Sequence, residues 1–251
     1  MMTHTHRLHL DGDVVTKTYV DWSRNEHVRE WTALQAISAA RPHLVPVPIE
    51  FTPPTPYPSI TMSRLQGTPL AGCLSAEELE ALHGALTDLW SIPPTAVEPL
   101  DLAVFVERIR SSIASWDGGG IIAQAHRAAI EWLAAPSDLA QPAHAVIGHG
   151  DPNLANYLRD GRQVRIIDFE DAGRSDLALE LANLVEHIAS RATDWTTFLD
   201  PFPVDPDRLL SARRLHAIFW LTLLRPGGPA AHRNPPETGE LQAERVLKLL
   251  S

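Results

Sequence analysis

Apolar and polar residues alternate over the first quarter of the chain and then settle into a helical period. His6 to Leu10 and Val14 to Val20 read as two strands joined by a tight turn at Asp11-Gly12-Asp13. Val45 to Phe51 and Ser59 to Leu65 read as two more, with a proline-rich loop between them. Glu26 to Ala39, between the two pairs, places Leu34 and Ile37 on one side and Glu30 one turn before Leu34, which predicts a helix. Beyond residue 66 the pattern changes. Ser75-Ala76-Glu77-Glu78 is a capping box opening a helix to Trp90, with Leu79, Leu82, Leu86 and Leu89 as its stripe. Further helices are predicted over Asp101 to Trp116, halted by Gly118-Gly119-Gly120, and over Ile121 to Ala134, Asp176 to Ser190, Asp207 to Leu224 and Glu237 to Leu250. Two short apolar runs interrupt them, Ala145 to Gly148 and Val164 to Ile167, and Asp160-Gly161 turns the second back antiparallel to the segment before it. The sum is an α+β chain with a small β-rich part, residues 1–66, and a mostly helical part, residues 67–251.

Bulk properties narrow the function classes. With 251 residues, 44% of them hydrophobic, the chain can bury a real core in one large or two small domains. Its apolar runs are far shorter than the ~20 residues a membrane span needs, and no charged segment followed by an apolar one opens it. Cys73 is the single cysteine, which fits a reducing compartment, so a cytoplasmic protein without a membrane partner is expected. A net charge of −10 argues against nucleic acid as a partner and is compatible with a cationic small-molecule substrate. Of 21 basic residues only Lys17 and Lys248 are lysines. A lysine inside a strand therefore invites a question, because a compact ammonium and a planar guanidinium are not interchangeable where geometry is tight.

The chemistry concentrates in His149-Gly150-Asp151-Pro152-Asn153-Leu154-Ala155-Asn156, followed by Ile166-Ile167-Asp168-Phe169-Glu170. Asp151 and Asn156 lie five apart on one loop, and Asp168 ends an apolar strand that a hairpin returns to that loop. Either residue of the loop alone is commonly a turn cap. The spaced set suits phosphoryl transfer, with one carboxylate facing the attacking hydroxyl while a carboxamide oxygen and a second carboxylate hold Mg²⁺ on nucleotide phosphates.

The pattern H-x-D-x(4)-N, a hairpin and then D-F-E resembles the catalytic core of the aminoglycoside phosphotransferase and choline kinase-like family, a relative of the protein kinases. The resemblance implies a two-lobed protein-kinase-like fold with a shortened N-terminal β-rich lobe that binds nucleotide and a helical lobe that carries the catalytic loop and acceptor site. It implies an ATP-dependent O-phosphotransferase, with GTP as the alternative nucleotide. The acceptor would be a hydroxyl of a small, cationic molecule such as an aminoglycoside or another antibiotic. Asp151 would orient the hydroxyl and accept its proton, and Asn156 and Asp168 would hold Mg²⁺. Lys17 would contact the phosphates, with Glu30 orienting it. Glu26 shares the helix face with Glu30 and stays an alternative partner. By alignment Met62 lies behind the base, and Ser63 and Leu65 offer backbone contacts at the hinge. His149 holds Asp151 from behind, and Asp176 caps its helix and bonds the catalytic loop. Glu170, Asp171, Glu180 and Glu186 are acceptor-site candidates by position, and solvated helix faces explain them as well. Oligomeric state is left open.

One departure stands out. No glycine-rich phosphate loop occurs anywhere, and sixteen residues before Lys17 suffice for one hairpin only. Three explanations remain: a missing strand and loop, an Asp11-Gly12-Asp13 turn lying closer to the nucleotide than the alignment implies, or a misassigned start. The departure supports a rival reading, a non-catalytic kinase-fold protein that binds a ligand or partner. The joint presence of Lys17, Glu30, Asp151, Asn156 and Asp168 argues against it, because a binding module needs none of that chemistry. The histidines His4, His6 and His9 lack zinc-type partner spacing, so no metal site is expected there.

Overall fold

The computed structural model describes residues 6–54, 56–116, 118–135, 139 and 143–251. Two antiparallel hairpins, β1 (Arg7–Asp11) with β2 (Val14–Thr18) and β3 (Pro48–Thr52) with β4 (Ser59–Ser63), combine into one four-stranded sheet in the order β1-β2-β4-β3. Gly12 takes φ +57 in the first turn, a conformation glycine adopts without steric cost. In β2, Lys17 stands opposite Leu8 on one side and Ile60 on the other. Helix α1 (Glu26–Ala40) packs Ala33, Leu34 and Ile37, all fully buried, into the core beneath this sheet.

A short strand β5 (Thr68–Pro69) follows the connector and pairs with β7 (Tyr157–Asp160), which continues into the hairpin with β8 (Gln163–Ile166). Helix α2 (Ala76–Trp90) begins at the expected capping box: Ser75 Oγ accepts from Glu78 N, and Glu78 Oε2 accepts from Ser75 N at 2.8 Å. Helices α3 (Leu102–Ala114) and α4 (Gly120–Ala134) lead to β6 (Ala145–Gly148). A strand the periodicity does not predict, β9 (Gly173–Asp176), pairs with β6 and delivers the chain into α5 (Leu177–Glu186). All ten residues of α5 are buried, because α7 (Pro206–Leu223) covers one side of it and the β6–β9 pair another. The one-turn α6 (Thr196–Leu199) precedes α7, and α8 (Thr238–Leu250) packs on α4 and α7. The expected helix over Asp176 to Ser190 stops early. His187 is extended (φ −61, ψ 137), and a 3-10 turn covers Ile188–Ser190. Among the described residues no helix is long and apolar enough to cross a membrane.

Candidate active site

Strand β6 runs out into the loop holding Asp151, and two close approaches shape that loop. Gly150 has φ +83, and a Cβ there would sit 2.2 Å from Asp171 O, so only glycine fits between the loop and the segment after Asp168. His149 is buried with its ring 4.7 Å from that of Phe169. Its Nδ1 accepts from Asp151 N at 3.3 Å, which leaves the proton on Nε2 to donate to Ile167 O at 2.8 Å. His149 thus ties the backbones on either side of the site together, as expected.

Helix α5 does the rest of the positioning, and sequence reasoning missed it. Glu180, Asn183 and His187 lie three and four residues apart, which puts them on one line toward the loop. Glu180 accepts from His149 N at 2.9 Å and from Gly150 N. Asn183 Nδ2 donates to Gly150 O at 3.0 Å. His187 Nδ1 accepts from Ala189 N at 3.1 Å, so its proton is on Nε2, 3.5 Å from Asp151 Oδ1. Burial acts to raise the pKa of Asp151, but the hydrogen bond from His187 and the electrostatic pull of the His187 and His149 rings outweigh it and keep the carboxyl below its ordinary range. Its side chain remains 45% exposed, an ionised carboxylate open to a hydroxyl from solvent.

Asn156 is buried, and its Nδ2 donates to Asp151 O at 3.0 Å, which leaves the carboxamide oxygen as an acceptor that could hold a cation. Its backbone carbonyl accepts from Ile167 N at 3.0 Å, so Asn156 and Asp168 are neighbours across the hairpin. Asp168 takes φ +70, a left-handed conformation aspartate tolerates better than most residues. One carboxamide oxygen and one carboxylate are hard donors and few. That suits Mg²⁺, which keeps waters and phosphate oxygens in its remaining positions.

Lys17 is buried among three carboxylates. Its Nζ lies 2.7 Å from Glu30 Oε2 and 2.7 Å from Glu170 Oε2, and it also bonds Asp168. Burial acts to lower the lysine pKa, but these three charges outweigh it and hold the ammonium protonated. Glu30 also accepts from the fully buried Tyr19 hydroxyl at 2.5 Å, whereas Glu26 pairs with Arg24 at 2.8 Å, so Glu30 is the partner of Lys17. Glu170 further meets His6 Nε2 at 2.9 Å. Against its burial, His6 and Lys17 draw its pKa down to about 2.

The carboxylates nominated for the acceptor are all engaged. Glu170 belongs to the lysine cluster and Asp171 pairs with Arg24 and Arg29. Glu180 holds the loop, and Glu186 is buried between Arg213 and Arg245. Asp176 caps α5 through Ala178 N as expected, but its other bonds go to Ala143 N, His144 N and Arg208; the loop is bonded by Glu180. Met62 is buried at the end of β4. The N–H of Ser63 already donates to Val47 O at 2.9 Å and its Oγ accepts from Val47 N, which leaves no free Ser63 N–H for a base. Leu65 follows, half-buried, at the start of the connector. Asp13 O accepts from Arg64 N at 2.7 Å, so the β1–β2 turn sits at the hinge end of the sheet. That is four residues from Lys17, roughly 13 Å along a strand, so the turn is remote from the carboxylate cluster around Lys17. Of the three histidines near the start, His6 joins Glu170, His9 is exposed on β1, and His4 lies outside the described residues.

The sequence profile of APH, the phosphotransferase enzyme family, matches residues 13–215, a stretch that reaches into both lobes and contains Lys17, Glu30, Asp151, Asn156 and Asp168. The chain belongs to that family. No curated protein matches it in sequence. Among solved structures, a choline/ethanolamine kinase family protein from Mesorhizobium loti superposes with a TM-score of 0.71 at 14% identity, covering 100% of this chain and 87% of the other. Choline kinase LicA from Streptococcus pneumoniae gives 0.67 at 15% identity, covering 100% and 90%. The GDP and kanamycin complex of an APH(2")-type enzyme gives 0.69 at 14% identity, covering 99% and 91%. The small antiparallel sheet lobe and the helical lobe are thus those of the kinase-like APH and choline kinase structures. As a family member the chain is a small-molecule phosphotransferase, a kinase acting on hydroxyl acceptors.

Proposed function

We propose that this APH-family chain moves the γ-phosphate of ATP, with GTP as the alternative, to a hydroxyl of a small polar molecule in a Mg²⁺-dependent reaction. In this reading residues 1–66 carry the nucleotide and residues 67–251 the catalytic loop and the acceptor. The observation that carries it is the half-exposed, ionised Asp151, held from one side by His187 and from behind by His149. Asp151 orients the hydroxyl and accepts its proton as the bond to phosphorus forms. Lys17 leaves its carboxylate partners to balance phosphate charge, and Glu30 keeps it aimed. Asn156 and Asp168 would hold Mg²⁺, which would supply charge neutralisation for the transferred phosphate. Catalysis then consists mostly of positioning and charge compensation, without a covalent enzyme intermediate. Met62, Ser63 and Leu65 line the base end, with Ser63 reduced to its carbonyl.

A cationic acceptor such as an aminoglycoside or other antibiotic, and with it a resistance role, is supported by the net charge of −10 and by the kanamycin-bound relative. The engagement of all four nominated carboxylates weakens that support, so the test must span several classes. Mass spectrometry on the chain incubated with Mg-ATP and a mixed panel of aminoglycosides, nucleosides, choline, sugars and hydroxy acids, with Asp151→Asn as the blank, provides it. One acceptor gaining a phosphate only with the natural chain is expected; equal gain with Asp151→Asn refutes the assignment of Asp151. The second reading, a non-catalytic ligand binder, draws on the three carboxylates enclosing Lys17 and the absent glycine-rich loop. It predicts no thermal stabilisation by Mg-ATP or Mg-GTP.

A further inference from the structure

A cavity of about 370 Å³ is walled by the end of α5, the 191–196 segment, α6, α7 and α8. Its wall includes Val185 and Glu186, while the next residue, His187, touches Asp151. One residue advances the chain by only 3.8 Å, so the end of α5 links the cavity wall to the contact with Asp151. Its charges are unlike the rest of this acidic protein. Arg191, Arg213 and Arg245 all line it. Glu186, 1% exposed, binds Arg213 Nε at 2.8 Å and Arg245 at 2.7 and 2.9 Å, so one carboxylate serves two guanidiniums.

Arg191 has no carboxylate within ion-pairing distance among the described residues. It donates to the neutral Gln242. Burial lowers its pKa; the charge of Glu186 acts against that and Arg245 acts with it, and the net direction is down. The remaining acidic residue, Asp194, is exposed and caps the turn at Thr196. Three guanidiniums against the buried Glu186 and the exposed Asp194 leave an excess of one positive charge in the lining, and Arg191 is the cation without an ion-pair partner. Such an excess is costly unless an anion joins it. Planar guanidinium forks match carboxylate and phosphate groups in particular. Trp195, buried with its indole N–H donating to Ser190 O at 2.9 Å, and Leu199 add an apolar wall.

We infer that this cavity is an acceptor subsite for an anionic group, and that the molecule phosphorylated here carries a carboxylate or a phosphate besides its reacting hydroxyl. The inference rests on the phosphotransferase reading above for the word acceptor; the anion site itself does not. Citrate and inorganic phosphate, each titrated calorimetrically into enzyme saturated with Mg-ADP at constant ionic strength, test the site directly. Binding of at least one probe to the natural chain is expected, with a tenfold or greater loss in Arg191→Gln and unchanged Mg-ADP affinity. Citrate binding alone points to a carboxylate-bearing acceptor, and phosphate binding alone to a phosphorylated one. Equal affinity in both proteins, or no binding of either probe, overturns the inference. In a second arm, acceptor pairs matched in hydroxyls but differing in charge, glycerate against glycerol and gluconate against glucose, are compared for phosphate gain. Preference for the neutral partner, or a cationic aminoglycoside as the best acceptor, also overturns it. Loss of Mg-ADP binding with anion binding intact refutes the phosphotransferase reading instead.

Discussion

Glu180→Ala tests whether α5 builds the catalytic loop. The Glu180 carboxylate is buried and accepts two backbone N–H groups, those of His149 and Gly150, and burial pushes its pKa up. Truncation leaves both donors without a partner in a closed site, at about 1–3 kcal/mol each. Relief from burying a charged side chain offsets part of that, and water entering the vacated space offsets more. A net loss of about 2–4 kcal/mol is expected, large against the 5–15 kcal/mol typical of whole domains. Glu180→Gln keeps one acceptor oxygen and should lose roughly half as much. Urea unfolding followed by tryptophan fluorescence measures this without any knowledge of the acceptor, provided the slope with denaturant is unchanged. Gly150 immediately precedes Asp151, so a loop displaced by about 1 Å should also cost ~10²-fold in turnover. A Glu180→Ala midpoint within about 0.5 kcal/mol of the natural chain refutes the claim that these bonds hold the loop.

Three other perturbations probe separate parts of the site. Asp168→Ala removes the proposed metal carboxylate and one of three charges on Lys17; Mg-nucleotide affinity should fall at least tenfold by calorimetry, and an unchanged titration curve would count against that role. His187→Phe keeps the ring packing on Trp220 but removes the N–H facing Asp151. Turnover should drop ~10-fold or more, equivalent to about 1.4 kcal/mol of barrier, with nucleotide binding within twofold; full activity at all pH values would dismiss the contact. The Glu170 pKa is depressed to about 2, so this group contributes stability above its unfolded value near 4.5 and loses it as pH falls toward 2. Glu170→Gln should therefore flatten the decline of the unfolding midpoint between pH 5 and 3, and an unaltered slope would show that the lysine cluster adds no stability.

Asp151→Asn should behave differently from all of these. The bonds that shape its loop, from Asn156 and to His149, involve the backbone of residue 151 and survive the change. Turnover should fall by ~10²–10⁴, the usual worth of a positioned base, while Mg-nucleotide binding and unfolding midpoint stay near those of the natural chain.

Much of this was legible along the chain because it is encoded locally. The capping box at Ser75 lies within four residues and forms as written. The alternation in β2 and β4 and the stripe of α2 are properties of neighbours in sequence, and the structure keeps those elements within a few residues of their expected bounds. The spacing of Asp151, Asn156 and Asp168 is likewise short-range, so a single turn and hairpin suffice to bring them together. What escaped depends on partners far away. Strand β9 reads Gly-Arg-Ser-Asp, with no alternation to betray it, and is extended because β6 offers it a ladder. Glu180, Asn183 and His187 look like ordinary positions of an amphipathic helix, and they acquire their roles from a loop about thirty residues upstream. Glu186 resembled a solvated carboxylate until α7 and α8 closed over it with Arg213 and Arg245. Periodicity specifies which face of an element is buried, but the charge waiting on the other side is chosen by the packing of distant elements. That is why the reaction class could be read from the residues in order, while the surroundings of Asp151 and the arginines of the cavity at the end of α5 emerged only from the folded chain.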